Sequence, residues 1–178
     1  MRLFIAINFT EKTKAALLAL RDELRSRAVR GNFSLPENLH LTLAFLGECD
    51  RKQAAAIMAV MDTMQFAPIE ISIKQVGRFG GRDKQGQSGA IWWAGADESK
   101  PILDLQRALT DKLISAGFPL NTRRYSPHIT LGRQVVTDAA PWRIEPFGET
   151  ASSIDLMKSE RLSGKLTYTA IYQKAARV

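Results

Sequence analysis

Only two histidines and one cysteine occur in the 178 residues. A single thiol, Cys49, closes no internal disulfide, and its expected role is that of a small apolar side chain following a strand. No stretch approaches the roughly eighteen apolar residues of a membrane helix. The apolar segment from Met1 to Phe9 is too short for a secretory leader and is followed by no small-residue cleavage site. Two imidazoles without a cysteine cluster or a His-x-x-x-His spacing leave a metal centre short of ligands, unless Asp or Glu supply the rest. Glycines gather between Gly80 and Gly89, but no Gly-Lys-Ser or Gly-Lys-Thr is present, which argues against a phosphate loop. No Gly-x-Ser-x-Gly marks the nucleophile elbow of a serine hydrolase. These absences leave a soluble, cytoplasmic, monomeric protein without cofactor or metal as the expectation.

What is present points toward anions. The net charge of +7 favours nucleic acid or phosphate esters as partners. Charge alone gives a direction and nothing finer.

The two histidines carry the stronger signal. His40-Leu41-Thr42-Leu43 and His128-Ile129-Thr130-Leu131 repeat one pattern 88 positions apart. Both read as short strands, with proline upstream and glycine downstream. Residues i and i+2 of a strand share a face. Each copy therefore presents an imidazole beside a hydroxyl, and turns Leu41 and Leu43, or Ile129 and Leu131, into a core. Eleven threonines in 178 residues make that spacing after both histidines by chance roughly a four-in-a-thousand event. A lone histidine on a strand is most often structural; a matched pair reads as a site.

Around the repeat the chain alternates strands and helices. Arg2 to Asn8 reads as a buried strand. Thr10 is the expected N-cap of a helix to about Arg27, with Ala16, Leu17, Leu20 and Leu24 on its apolar stripe. Arg21, Arg25, Arg27 and Arg30 suit its negative end and read by default as a solvated face. Gly31 to Pro36 reads as a turn-rich connection. Asp50 caps a second helix to about Met64, and Pro68 opens a strand alternating Ile69, Ile71 and Ile73 inward. Val76 to Phe79 extends that sheet. The next loop reads as a hairpin carrying Arg78, Arg82 and Lys84 near a substrate. In Ala90 to Ala94, alternation sends Trp92 and Trp93 to opposite faces. Ser99 caps a third helix ending near Ala116, with Gly117 beyond it. A polar connection through Pro141 and Pro146 precedes strands at about Ala151 to Lys158 and Lys165 to Lys174, joined by a Ser163-Gly164 turn. The order implies an α+β fold in two loosely repeated halves, one bilobal domain over residues 1–178 with the histidine strands lining a cleft.

Two imidazoles of ordinary pKa about 6.5 can serve as complementary acid and base. In-line displacement at a phosphodiester needs both roles, one on each side of phosphorus. The adjacent threonine hydroxyls can hold the non-bridging oxygens. The residues leave open which histidine plays which part.

Both His-x-Thr-x motifs, together with Arg2-Leu3-Phe4-Ile5-Ala6-Ile7, Asn38 to Gly47 and Pro127 to Arg133, resemble the two-histidine phosphoesterases. The likeness is to their RNA 2′,3′-cyclic phosphodiesterase branch, also described as 2′-5′ RNA ligases. The resemblance implies a bilobal fold of two facing antiparallel sheet lobes with helices packed outside. It also implies metal-independent opening of an RNA 2′,3′-cyclic phosphate end to a 2′-phosphate, with reversible 2′-5′ ligation as an accompanying activity. His40 would then be the proton donor, His128 the proton acceptor, and Thr42 and Thr130 the phosphate ligands. Arg133 is a further phosphate candidate, although regular alternation turns it away from Thr130 unless a bulge intervenes at Gly132. Tyr125 is a base-stacking or packing residue. Other expected substrates are small nucleotide cyclic phosphates and 2′-5′ oligonucleotides, and a non-catalytic RNA-binding module is the remaining alternative. Paired imidazole catalysis implies a bell-shaped pH profile with limbs near neutrality.

Overall fold

The computed structural model describes residues 1–80 and 89–177. Among these, the strands are β1 (Arg2–Asn8), β2 (Ala28–Phe33), β3 (His40–Glu48), β4 (Ile69–Phe79), β5 (Ala90–Ala96), β6 (His128–Thr137), β7 (Trp142–Ala151), β8 (Ser153–Leu162) and β9 (Lys165–Ala175). The helices are α1 (Glu11–Ser26), α2 (Arg51–Asp62) and α3 (Lys100–Ser115). All strand pairings are antiparallel, in the order β7-β4-β5-β6-β3-β1-β8-β9, with β2 on the remaining edge of β6. The expected lobes are the two halves of this α+β fold. They meet at β3 and β6, where Leu41 faces Ile129.

The continuous apolar run of β1 follows from burial on both faces. Leu3, Ile5 and Ile7 join the main core, while Phe4 and Ala6 pack with Met157 and Tyr168 in a smaller cluster on the opposite face. Leu41, Leu43, Ile129 and Leu131 are at most 3% exposed, so the helix-covered face of the seam is dry. α1 follows β1 yet packs against β2, β6 and β7, which ties one half to the other; α3 packs against β3 and β4, and α2 against α3 and β9. No helix among the described residues is long and apolar enough to cross a membrane.

Several local expectations hold. Asp50 and Gln53 form a reciprocal capping box at α2. Ser163 and Gly164 join Leu162 to Lys165 as a two-residue turn with φ of 50° and 79°, the primed geometry that twisted hairpins prefer. Thr10 lies at the N-cap of α1 but its hydroxyl serves another purpose, donating to Glu149 of β7 at 2.6 Å.

Two connections are corrected to strands. Residues 28–33 pair with the distal part of β6 as β2, and residues 142–151 pair with β4 as β7. Both are edge strands, and an edge carries one partner and needs little apolar sequence. Pro146 falls where the β4–β7 register breaks between Ile73 and Gln75, a position where the missing N–H costs no ladder bond. The arginines at the end of α1 form the expected exposed face at Arg25, Arg27 and Arg30, while Arg21 is half-buried, and several of them also make local contacts. Arg21 donates to the Ser34 carbonyl at 2.7 Å, Arg25 lies over Phe33 and Arg27 over Trp142. Arg82 and Lys84 lie outside the described residues; Arg78 lies over Trp92 at 5.8 Å.

Candidate active site

Leu41 and Ile129 point into the core across an antiparallel seam. Strand alternation therefore puts His40, Thr42, His128 and Thr130 on the other face, with each imidazole next to the other strand's threonine. All four line one cleft of about 250 Å³, together with Arg133. Two residues 88 positions apart become neighbours because their strands pair at the seam.

Each imidazole is held by the chain just before it. His128 Nδ1 lies 2.7 Å from the Ser126 carbonyl, and His40 is hydrogen-bonded to the Asn38 backbone. A carbonyl can only accept, so a neutral His128 carries its proton on Nδ1 and presents a bare Nε2. Rings pack against each imidazole in matching fashion. Phe4 and Tyr168 lie 4.8 and 5.1 Å from His40; Phe79 and Trp93 lie 5.0 and 6.3 Å from His128. Trp93 fits its place because Gly77 and Gly95 have no side chain: a Cβ would come within 2.3 Å of its ring at Gly77 and 2.8 Å at Gly95. As alternation required, Trp92 is fully buried and Trp93 half-buried beside the site.

Burial disfavours the charged imidazole in both places. It lowers the His40 pKa to about 4, with Arg133 and then His128 adding to the fall and the Asn38 hydrogen bond opposing it. The His128 pKa is lowered by burial and then by Arg133, against the Ser126 hydrogen bond. With both values lowered, the two rings are neutral at pH 7.

Arg133 reaches the site through the bulge that its position required. Trp93 pairs with Thr130 and Trp92 with Gly132, so Leu131 is an extra residue on β6. Leu131 and Gly132 are buried in succession and Arg133 returns to the face of Thr130. Gly132 permits this because a Cβ there would meet Val135 at 2.9 Å and Phe33 at 3.2 Å. The first motif repeats the device. Ala6 pairs with Thr42 and Ile5 with Ala44, leaving Leu43 as the extra residue, and Phe45 takes the place equivalent to Arg133.

A bulge leaves backbone groups to be satisfied elsewhere. The Tyr125 hydroxyl donates to the Thr42 carbonyl at 2.8 Å, and the Ser34 hydroxyl donates to the Thr130 carbonyl at 2.7 Å. Each clip comes from the segment preceding the other histidine strand. Tyr125 thus has a packing and hydrogen-bonding place, and burial pushes its phenol pKa up. Phe4, Phe45, Phe79, Tyr168 and Ser34 escaped the sequence reading. Only the last threonine-plus-three position, shared by Phe45 and Arg133, left a trace that comparing the two motif copies could have found.

With this geometry established, comparison with known proteins is informative. The family model of the 2′-5′ RNA ligase superfamily matches residues 10–161. An RNA 2′,3′-cyclic phosphodiesterase of Methanothermobacter thermautotrophicus is 33% identical over 135 residues, covering 75% of this chain and 71% of that protein. One of Archaeoglobus fulgidus is 31% identical over 159 residues, covering 84% and 85%. Among solved structures, apo Escherichia coli LigT superposes with a TM-score of 0.81 at 21% identity, covering 98% of this chain and 96% of that one; LigT has also been solved with 3′-AMP, with a TM-score of 0.80. Fold, matched residues and identity agree, and the chain belongs to the 2′-5′ RNA ligase superfamily.

Proposed function

We propose that this chain hydrolyses the 2′,3′-cyclic phosphate at an RNA end to a 2′-phosphomonoester by paired imidazole catalysis, without a metal. The observation that carries the reading is the placement of two imidazoles and two hydroxyls on one face of the β3–β6 seam, with Arg133 brought in by a bulge. The names of the relatives supply the substrate.

The phosphate lies among Thr42, Thr130 and Arg133, whose donors hold the non-bridging oxygens and strengthen as charge builds there. His128 Nε2 takes a proton from water, the water oxygen bonds phosphorus, and the bond to O3′ breaks. His40 gives its proton to O3′, which leaves the phosphate on O2′. His40 must be charged to do so. Burial lowers its pKa, and an anionic phosphate beside it raises it again. Substrate binding thereby loads the acid.

Because O3′ departs beside His40, the ribose and the strand leading to it lie on that side. A cleft of about 600 Å³ extends there over Tyr168 and the cations Arg2, Lys158 and Arg161, of which Lys158 is paired with Glu160; cations suit a phosphodiester backbone.

The deciding experiment uses an RNA oligonucleotide with a 2′,3′-cyclic phosphate, in excess chelator, with wild type beside His40→Ala and His128→Ala. The expected result is a 2′-phosphate product from the wild type only. A 3′-phosphate product, loss of activity in chelator, or equal turnover by either variant rejects the reading. RNA bound without turnover by the wild type favours a binding module instead.

A further inference from the structure

We infer that Gln106 of α3 is a positioning residue for Thr42, supplying to the bulge of β3 a donor that the bulge of β6 takes from the backbone. The inference rests on the proposed role of Thr42 as a phosphate ligand. Gln106 acts on that ligand through the peptide of Leu43.

A one-residue bulge leaves the carbonyls of the threonine and of the extra residue after it in need of partners. In β6 a single residue meets both. Ser34 donates its hydroxyl to the Thr130 carbonyl at 2.7 Å and its backbone N–H to the Leu131 carbonyl at 2.9 Å. In β3 the corresponding carbonyls are met by two side chains from different elements. The Tyr125 hydroxyl donates to Thr42 at 2.8 Å, and Gln106 Nε2 donates to the Leu43 carbonyl at 3.3 Å. An amide on a helix thus stands where the other half uses a main-chain N–H. No substitution at Ser34 short of proline removes that N–H, whereas the donor to Leu43 is open to mutation.

The orientation of the amide follows from its partners. A carbonyl can only accept, so the nitrogen of Gln106 faces Leu43. The same nitrogen donates to Thr110 Oγ1 at 3.0 Å, one turn further along α3. Thr110 is 8% exposed, and this bond gives its buried oxygen a partner. Gln106 is half-buried on a helix that packs against β3, so α3 fixes the side chain and the side chain fixes the bulge. Leu43 follows Thr42 directly, and a turn of the Leu43 peptide moves the threonine hydroxyl relative to the phosphate. A misplacement of about 1 Å in a reacting constellation can cost about a hundred-fold in rate.

The test compares wild type with two variants of similar side-chain length. Gln106→Met removes the donor; Gln106→Glu restores one only when its carboxyl is protonated. Glu98, Arg107, Asp111, Arg123 and Arg124 line a cleft with Gln106 and set where that carboxyl titrates. Turnover of cyclic-phosphate RNA is followed across pH, with the melting temperature of each variant measured at each pH. Expected for Gln106→Met is a kcat about ten-fold lower throughout, with KM within about two-fold. The loss in Gln106→Glu, relative to wild type at the same pH, should match it above the carboxyl pKa and shrink as pH falls through that value. Combined with Thr42→Ala, Gln106→Met should cost little more; combined with Thr130→Ala, it should cost its full factor. Unchanged kcat with a lower melting temperature makes Gln106 a structural residue and overturns the inference. Equal coupling to both threonines, or a loss in Gln106→Glu that does not vary with pH, overturns it too. In each of these cases the hydrolytic reading stands. A wild type that leaves the cyclic phosphate intact removes that reading, and the inference with it.

Discussion

The two halves of the groove use the same scaffold for unequal chemistry. Each histidine opens a strand, is held by a carbonyl two residues upstream, packs against two aromatic rings and is followed by a one-residue bulge. Each bulged strand is clipped by a hydroxyl from the other half's approach segment. The halves diverge where that bulge delivers its next side chain, Phe45 in one and Arg133 in the other. A symmetric frame thus sets two imidazoles on one face of the seam, and one asymmetric cation, Arg133, lines the cleft beside them.

Breaking the symmetric part has the largest expected effect. His40→Ala and His128→Ala should each lose about a hundred- to ten-thousand-fold in kcat on cyclic-phosphate RNA. The double variant should be little worse than either single one, because the two rings act as a unit. Additive losses would contradict paired action. Arg133→Ala comes next, with a fall of about a hundred- to a thousand-fold if its guanidinium meets the phosphate in the transition state. The equivalent Phe45→Ala should change kcat far less, and similar losses at the two positions would erase the proposed asymmetry. Thr42→Ala and Thr130→Ala should fall by about ten- to a thousand-fold, since each removes one hydroxyl donor.

The pH profile sharpens the comparison. Burial and Arg133 depress both imidazole pKa values. The singly protonated pair is most populated between the two depressed values, so kcat/KM, which reports the free enzyme, should peak below pH 6.5 rather than near neutrality. Bound phosphate favours the charged ring, so the kcat profile should lie to the alkaline side of the kcat/KM profile. Removing Arg133 takes away a positive neighbour, so Arg133→Ala should raise both ring pKa values, read by NMR titration, and move the kcat/KM optimum upward. Unchanged ring pKa values in that variant would place the guanidinium outside the site.

The frame was more legible in the sequence than its asymmetry. Matched motifs identify themselves by repetition, and the stripe Leu17, Leu20, Leu24 locates a helix face because burial enforces the period. Residues 28–33 and 142–151 did not read as strands, since edge pairing is decided by a partner distant in the chain. Arg133 could not be placed from alternation alone. The bulge that redirects it depends on β5 and β2 lying alongside β6. Phe79 and Tyr168 come from strands that reach the histidines only through the sheet order.

The smallest expected effect tests whether the two clips are equivalent. Tyr125→Phe removes the donor to the Thr42 carbonyl, and Ser34→Ala removes the donor to the Thr130 carbonyl. Each leaves a half-buried acceptor at a bulge to find water or remain unpaired, at a cost of about 1–3 kcal/mol. In a chain of this size that corresponds to a fall in Tm of roughly 2–4 °C per kcal/mol. If the clips only stabilise, both variants should keep kcat within about three-fold while melting earlier by similar amounts. If they also hold the threonines at the phosphate, catalysis should fall more than stability predicts. Tyr125→Phe should then act through Thr42 and Ser34→Ala through Thr130, so pairing each with the corresponding threonine variant should give non-additive losses in kcat. Additive losses in both pairs would confine the clips to stability.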